Sequence, residues 1–172
     1  MTTTISRKKR RIALKRLKAA NVMGLNPVSI RHTATIRSAV DTLNRCCLDM
    51  APVTDESGRL IGIVNSADLF DTHGRRRNRQ QDCVTANLTN AGLYPKTGRK
   101  RADLVVRQVM CSEVFSVRSD ASIAKVIEKF VKRKVRRLCV TDQDAVLVGE
   151  IDIFELLRTL GEYVDPIRIS RQ

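Results

Sequence analysis

At 172 residues with 42% hydrophobic content, the chain is long enough for one compact domain, or for two half-domains that share a core. Aromatic residues make up only 3% and Trp is absent, so aliphatic side chains must fill that core, and no apolar run reaches the length of a membrane span. The net charge of +14 is concentrated in two places: residues 1–21 carry eight Lys/Arg and no acid, and residues 71–104 carry eight against three acids, while 22–70 and 105–172 come to −1 and +2.

Five cysteines are an odd set, with Cys46 and Cys47 adjacent and Cys83, Cys111 and Cys139 isolated. There is no C-x-x-C pair, and His32 and His73 lack ligand-like neighbours, so neither a zinc site nor a disulfide framework is expected. The expectation is reduced thiols in a cytoplasmic protein, some of them serving as small core hydrophobes. The opening MTTTISRKKRR is basic, but no apolar stretch and cleavage site follow it, so it does not read as a secretory signal.

In chain order, residues 1–21 form a basic arm in which Ile12, Leu14 and Leu17 stand among the charges, as in a weakly amphipathic helix. From Val22 to Thr72 the chain then matches itself, ungapped, at an offset of 87 residues. The match has 13 identities in 51 positions, among them Val22/Val109, Met23/Met110, Ser29/Ser116, Thr54/Thr141, Gly62/Gly149 and Leu69/Leu156. Ordinary composition gives about three. The duplication is the firmest feature of the sequence.

Each copy predicts the same elements. Val28-Ser29-Ile30, and Phe115-Ser116-Val117 in copy two, read as a short strand. Ile36, Ala39, Val40 and Leu43 recur at helical spacing, as do Ile123, Val126, Ile127 and Phe130. Thr33 or Thr35, and Asp120 or Ser122, are available as N-caps. A strand ending at Val53-Thr54, a turn at Asp55-Glu56-Ser57-Gly58 and a strand Leu60–Val64 make a hairpin, with a weaker turn, Asp142-Gln143-Asp144-Ala145, in copy two. A second helix opens at Asn65 or Asp152. The fold class is therefore α/β (α+β), with two β-α-β-β-α units expected to pack with pseudo-twofold symmetry, because one unit of about 50 residues is marginal alone. The organisation expected is an arm 1–21, copy one 22–72, a polar connector 73–104, copy two 105–160 and a tail 161–172.

These residues resemble the cystathionine-β-synthase (CBS) domain family over Val22–Phe70 and Val109–Leu157. The resemblance rests on V-M-x-x-x-P-V-S-I and V-M-x-x-x-V-F-S-V, on M-A-P-V-T-D-E-S-G-R-L-I-G-I-V followed by Asn65-Ser66-Ala67-Asp68-Leu69, and on R-R-L-C-V-T-D with G-E-I-D-I-F-E-L-L. A tandem pair implies a Bateman module, which in this family commonly binds an adenosine-type ligand (AMP, ADP, ATP or S-adenosylmethionine, with magnesium beside a nucleotide) and often dimerises. The family's Gly-h-h-Thr/Ser-x-x-Asp stretch places a hydroxyl at a helix start for phosphate and an Asp one turn on for ribose hydroxyls. Here Asn65 stands at the hydroxyl position and Asp68 at the ribose position. In copy two Asp152 and Glu155 take those places, and a carboxylate at 152 opposes a phosphate unless a metal intervenes. Arg136 and Arg137 precede the copy-two strand, where basic residues reach phosphates in related proteins, and Ser29, Val53 and Ser116 complete the candidate ligand set. The bland alternative is that Asn65 and Asp152 are N-caps and that Asp68 and Glu155 simply suit the helix dipole.

The connector holds Arg75-Arg76-Arg77-Asn78-Arg79 and Lys96-Thr97-Gly98-Arg99-Lys100-Arg101, runs that attract phosphate backbones, although no stacking aromatics interleave them. Motifs for nucleophilic, phosphoryl-transfer, dinucleotide or metalloprotease chemistry are absent from the sequence, so no enzyme activity and no resident cofactor or metal is expected. The leading expectation is a regulatory sensor, dimeric and off the membrane, that signals to a separate effector protein. The rival is a nucleic-acid- or ribosome-associated protein that uses the pair as a dimerisation scaffold. A structural pair with neither ligand is a third reading.

Overall fold

A computed structural model describes residues 16–70 and 104–161. The expectations for most of the arm, for the connector runs, for His73 and Cys83 and for nearly all of the tail lie outside the described residues. The chain divides into two compact units. Of the described residues, unit 1 takes 16–26, 116–142 and 148–161, and unit 2 takes 27–70, 104–115 and 143–147.

In unit 2 the order is β2 (Ile30–Arg31), α1 (Ile36–Arg45), β3 (Met50–Thr54), β4 (Leu60–Asn65) and α2 (Ser66–Phe70). β2 runs parallel to β3, which pairs antiparallel with β4 in the register Met50↔Asn65 and Val53↔Gly62. α1 starts where Thr35 accepts from the Ser38 N–H, and it buries Ile36, Ala39 and Leu43, three of the four residues at helical spacing. These join Ile30, Ala51, Val53, Val64, Leu69 and Val106 in one apolar cluster.

Unit 1 repeats the plan with β5 (Ser116–Arg118), α3 (Ile123–Arg133), β6 (Arg137–Thr141), β7 (Leu147–Asp152) and α4 (Ile153–Gly161). Ser122 caps α3, which buries Ile123, Val126 and Phe130 but leaves Ile127 37% exposed. The β-α-β-β-α reading is thus realised in both copies. The first strand differs: Ser29 lies before β2 and is exposed, because only Ile30 and Arg31 pair with β3.

An unforeseen strand, β1 (Gly24–Leu25), adds to the edge of β7, giving the order β1-β7-β6-β5. In unit 2, Cys111 bridges Ile63 of β4 in the same way. The residues that open each copy therefore extend a sheet edge. Two glycines permit it. A Cβ on Gly149 would stand 2.7 Å from the Met23 Sδ and 2.8 Å from the Gly24 carbonyl oxygen, and one on Gly62 would meet the Met110 Sδ at 2.6 Å.

The weak turn in copy two closes all the same. Ala145 adopts φ 64°, the conformation Gly58 holds at φ 78° in the matching turn of copy one. A Cβ in that region costs about 1–2 kcal/mol, against about 0.5–1 kcal/mol for glycine's extra freedom when unfolded. Ala145→Gly is expected to raise stability by about 0.5–1 kcal/mol, read as a higher urea midpoint at constant m. A lower midpoint would show that the strain is illusory.

The cysteines fall into different classes. Cys46 and Cys47 are exposed and free, and Cys139 is free and buried in β6. Cys111 is disulfide-bonded, which corrects the expectation of reduced thiols throughout. The Cys139 thiol is pushed up to about 12, first by burial and then by the negative charge of Glu150. The folded state therefore keeps this proton above 9.0, where the unfolded chain starts to release it. Its contribution is complete below pH 9 and declines toward pH 12, at up to about 1.4 kcal/mol per pH unit. At pH 8 a thiol reagent should modify Cys46 and Cys47 and spare Cys139 until the protein unfolds. Rapid native labelling of all three would contradict that burial.

Candidate functional site

The second helix of each copy opens at the end of a strand, so its N-cap is also a strand residue. In copy one Asn65, only 6% exposed, ends β4 and caps α2. Its Oδ1 accepts from the Asp68 N–H at 2.8 Å, while Asp68 Oδ2 accepts from the Asn65 N–H at 3.1 Å. This is a reciprocal capping box. The first amide of α2 is engaged too: the Ser66 N–H donates to the Asp49 carbonyl at 3.0 Å.

Copy two has the equivalent backbone bond, from the Ile153 N–H to the Arg136 carbonyl at 2.9 Å. Its side chains behave differently. Asp152 Oδ1 accepts from the Phe154 N–H at 2.8 Å, and Oδ2 faces the Arg137 Nε at 3.5 Å. Arg137 begins β6 rather than preceding it. The pair is half-buried, with side chains 33% and 28% exposed. Arg136 lies over the Phe154 ring, 5.2 Å from its centroid. Glu155 pairs with Arg158 at 2.6 Å, an exposed ion pair that contributes about 0–1 kcal/mol.

The candidates thus separate. Asn65 and Asp68 are joined in copy one, and Arg136, Arg137, Asp152 and Glu155 all stand near the start of α4 with intramolecular partners. Ser116 is half-buried in β5, and its carbonyl accepts from the Lys129 ammonium. Val53 is fully buried in the apolar cluster, so its side chain is a core residue and not a lining residue. Ser29, exposed ahead of β2, belongs to neither helix start. Sequence reasoning missed the Arg137–Asp152 pair. The signal was the 87-residue offset, which makes these two the counterparts of Met50 and Asn65, cross-strand partners at the end of the β3–β4 ladder.

Other polar features lie away from these positions. An open groove of about 450 Å³ runs along α1, lined by Thr35, Arg37, Ser38, Asp41, Asn44 and Arg45, and none of the candidates lines it. His32 Nε2 meets Glu56 Oε1 at 2.8 Å. The Glu56 carboxyl is held below its ordinary range, first by a backbone hydrogen bond and then by His32. No helix among the described residues is long and apolar enough to cross a membrane.

The CBS domain model matches residues 19–73 and 106–162. The chain belongs to the CBS domain family. The two matches make it a tandem CBS pair. Among relatives, it is 26% identical over 120 residues to the uncharacterized protein MJ1426 of Methanocaldococcus jannaschii, covering 64% of this chain and 71% of that one. It is 25% identical over 152 residues to MJ1004 of the same organism, covering 88% of this chain but only 60% of that protein. The crystal structure of MJ1004 superposes with a TM-score of 0.64 at 22% identity, over 85% of this chain and 60% of that chain. The CBS pair CBSX2, whose structure is a complex with AMP, superposes with a TM-score of 0.61 at 21% identity, over 84% of this chain and 96% of its own. These likenesses establish the fold.

Proposed function

We propose that this CBS pair is a non-catalytic regulatory module that binds an adenosine-type ligand at the start of α2 in copy one and signals its occupancy to a partner protein. The observation that carries the reading is the Asn65–Asp68 pair. A carboxylate in the first turn of the helix can accept hydrogen bonds from ribose hydroxyls, and the Asn amide can donate to a phosphate oxygen. CBSX2, a pair of the same fold, holds AMP, which supports this ligand class. With Ser66 N–H engaged by Asp49, the side chains rather than the first backbone amide lead recognition. The folded repeats are assigned to 22–72 and 105–160, and signalling requires that ligand and partner favour the same one of two states.

One observation favours a second reading, a polyanionic partner. α3 carries Lys125, Lys129, Lys132 and Arg133 against the single acid Glu128. The Lys129 ammonium is pulled below its ordinary range by desolvation first, then by Arg133 and Lys125. Thermal unfolding with AMP, ADP, ATP or S-adenosylmethionine, with and without magnesium, decides between the two. A midpoint that rises with ligand and no longer does so in Asp68→Ala establishes the sensor. No rise with any of them transfers the function to the basic surfaces.

A further inference from the structure

We propose that the Asp152 carboxylate occupies, in copy two, the place of a ligand's phosphate, so that the chain carries one nucleotide site and not two. The inference rests on the sensor reading above and assigns its stoichiometry. Two substitutions separate copy two from copy one at one rung of the hairpin: Asn65 is matched by Asp152, and Met50 by Arg137. They are complementary. Asp152 Oδ2 lies 3.5 Å from the Arg137 Nε, so the cation best placed to receive a phosphate at the start of α4 already faces an anion of this chain.

The surrounding groups are engaged as well. Asp152 Oδ1 takes the Phe154 N–H, Arg136 stacks on Phe154, and Glu155 holds Arg158. A phosphate entering here must displace a carboxylate from its arginine and then remain beside it. Two like charges about 4 Å apart cost roughly fivefold in affinity in water, and about a thousandfold where the effective dielectric is that of a protein surface. Copy one presents no such obstacle, because Met50 and Asn65 are both neutral.

The test is calorimetric titration of AMP into the full chain and into Asp152→Asn, Arg137→Met and the double variant. Asn caps a helix as well as Asp, so Asp152→Asn preserves the start of α4. The expected stoichiometry is one AMP per chain in the wild type and in Arg137→Met, where Asp152 remains, and two in Asp152→Asn and in the double variant, which carries the neutral pair of copy one. A wild type that binds two, or an Asp152→Asn variant that stays at one, overturns the inference and leaves the copy-one site standing. A wild type that binds none while Asp152→Asn binds one overturns the copy-one site, and with it the count of one, and upholds only the block by Asp152 in copy two. No binding by any of the four overturns both.

Discussion

Asp68→Ala is expected to abolish ligand-induced stabilisation and also to lower the stability of the unliganded protein. The two losses have different origins. The first is loss of the carboxylate that receives the ribose. At a ligand concentration 100 times its Kd, the wild type gains about 2.7 kcal/mol, and the variant should gain nothing. The second is loss of the acceptor for the Asn65 N–H, half of the capping box, which costs about 0.5–2 kcal/mol. Asp68→Asn separates them. Its Oδ1 can still accept from Asn65, so unliganded stability should stay within about 0.5 kcal/mol. With only one acceptor oxygen it serves two ribose hydroxyls poorly, so the ligand-induced rise should fall. An Asp68→Ala midpoint that climbs with AMP as steeply as the wild type's would place the ligand elsewhere.

Much of this fold is legible in the amino-acid sequence alone. The 87-residue offset marked the repeat, and helical spacing marked the buried faces of α1 and α3. Threonine or serine just before those faces marked the caps, which the structure assigns to Thr35 and Ser122 rather than Thr33 and Asp120. These signals are local and periodic, so one sequence carries them. β1 was not legible, because a strand of two residues has no period. The Arg137–Asp152 pair depends on register between strands, which spacing along the chain does not state. Reading residues one at a time against a ligand also leaves unseen that the core uses the Val53 side chain and that Arg136 and Glu155 have partners of their own. Cys111 shows the same limit, since an odd count and isolated spacing do not say which cysteine is bonded.

The repeat itself contains one interaction whose meaning emerges only from packing. Met23/Met110 and Gly62/Gly149 are two of its identical pairs, and in each unit a methionine lies across the glycine: Met23 over Gly149 in unit 1, Met110 over Gly62 in unit 2. The glycines are retained for close approach, since their conformations do not require them. A side chain there must move the methionine and the backbone beside it. Gly149→Val is expected to lose about 1–3 kcal/mol, the usual cost of overpacking, by forcing Gly24 and Leu25 away from β7. Chemical denaturation measures the loss, and the amides of β1 should exchange faster with solvent. Trimming the methionine distinguishes the two copies. In Gly62→Ala, Met110→Ala removes the 2.6 Å contact and leaves the Cys111 carbonyl at 3.0 Å, a gap that a small shift can relieve. In Gly149→Ala, Met23→Ala still leaves the Gly24 carbonyl at 2.8 Å, so rescue should be weaker. Equal rescue in both copies would mean that the methionine sulfur, and not the neighbouring backbone, sets the requirement for glycine.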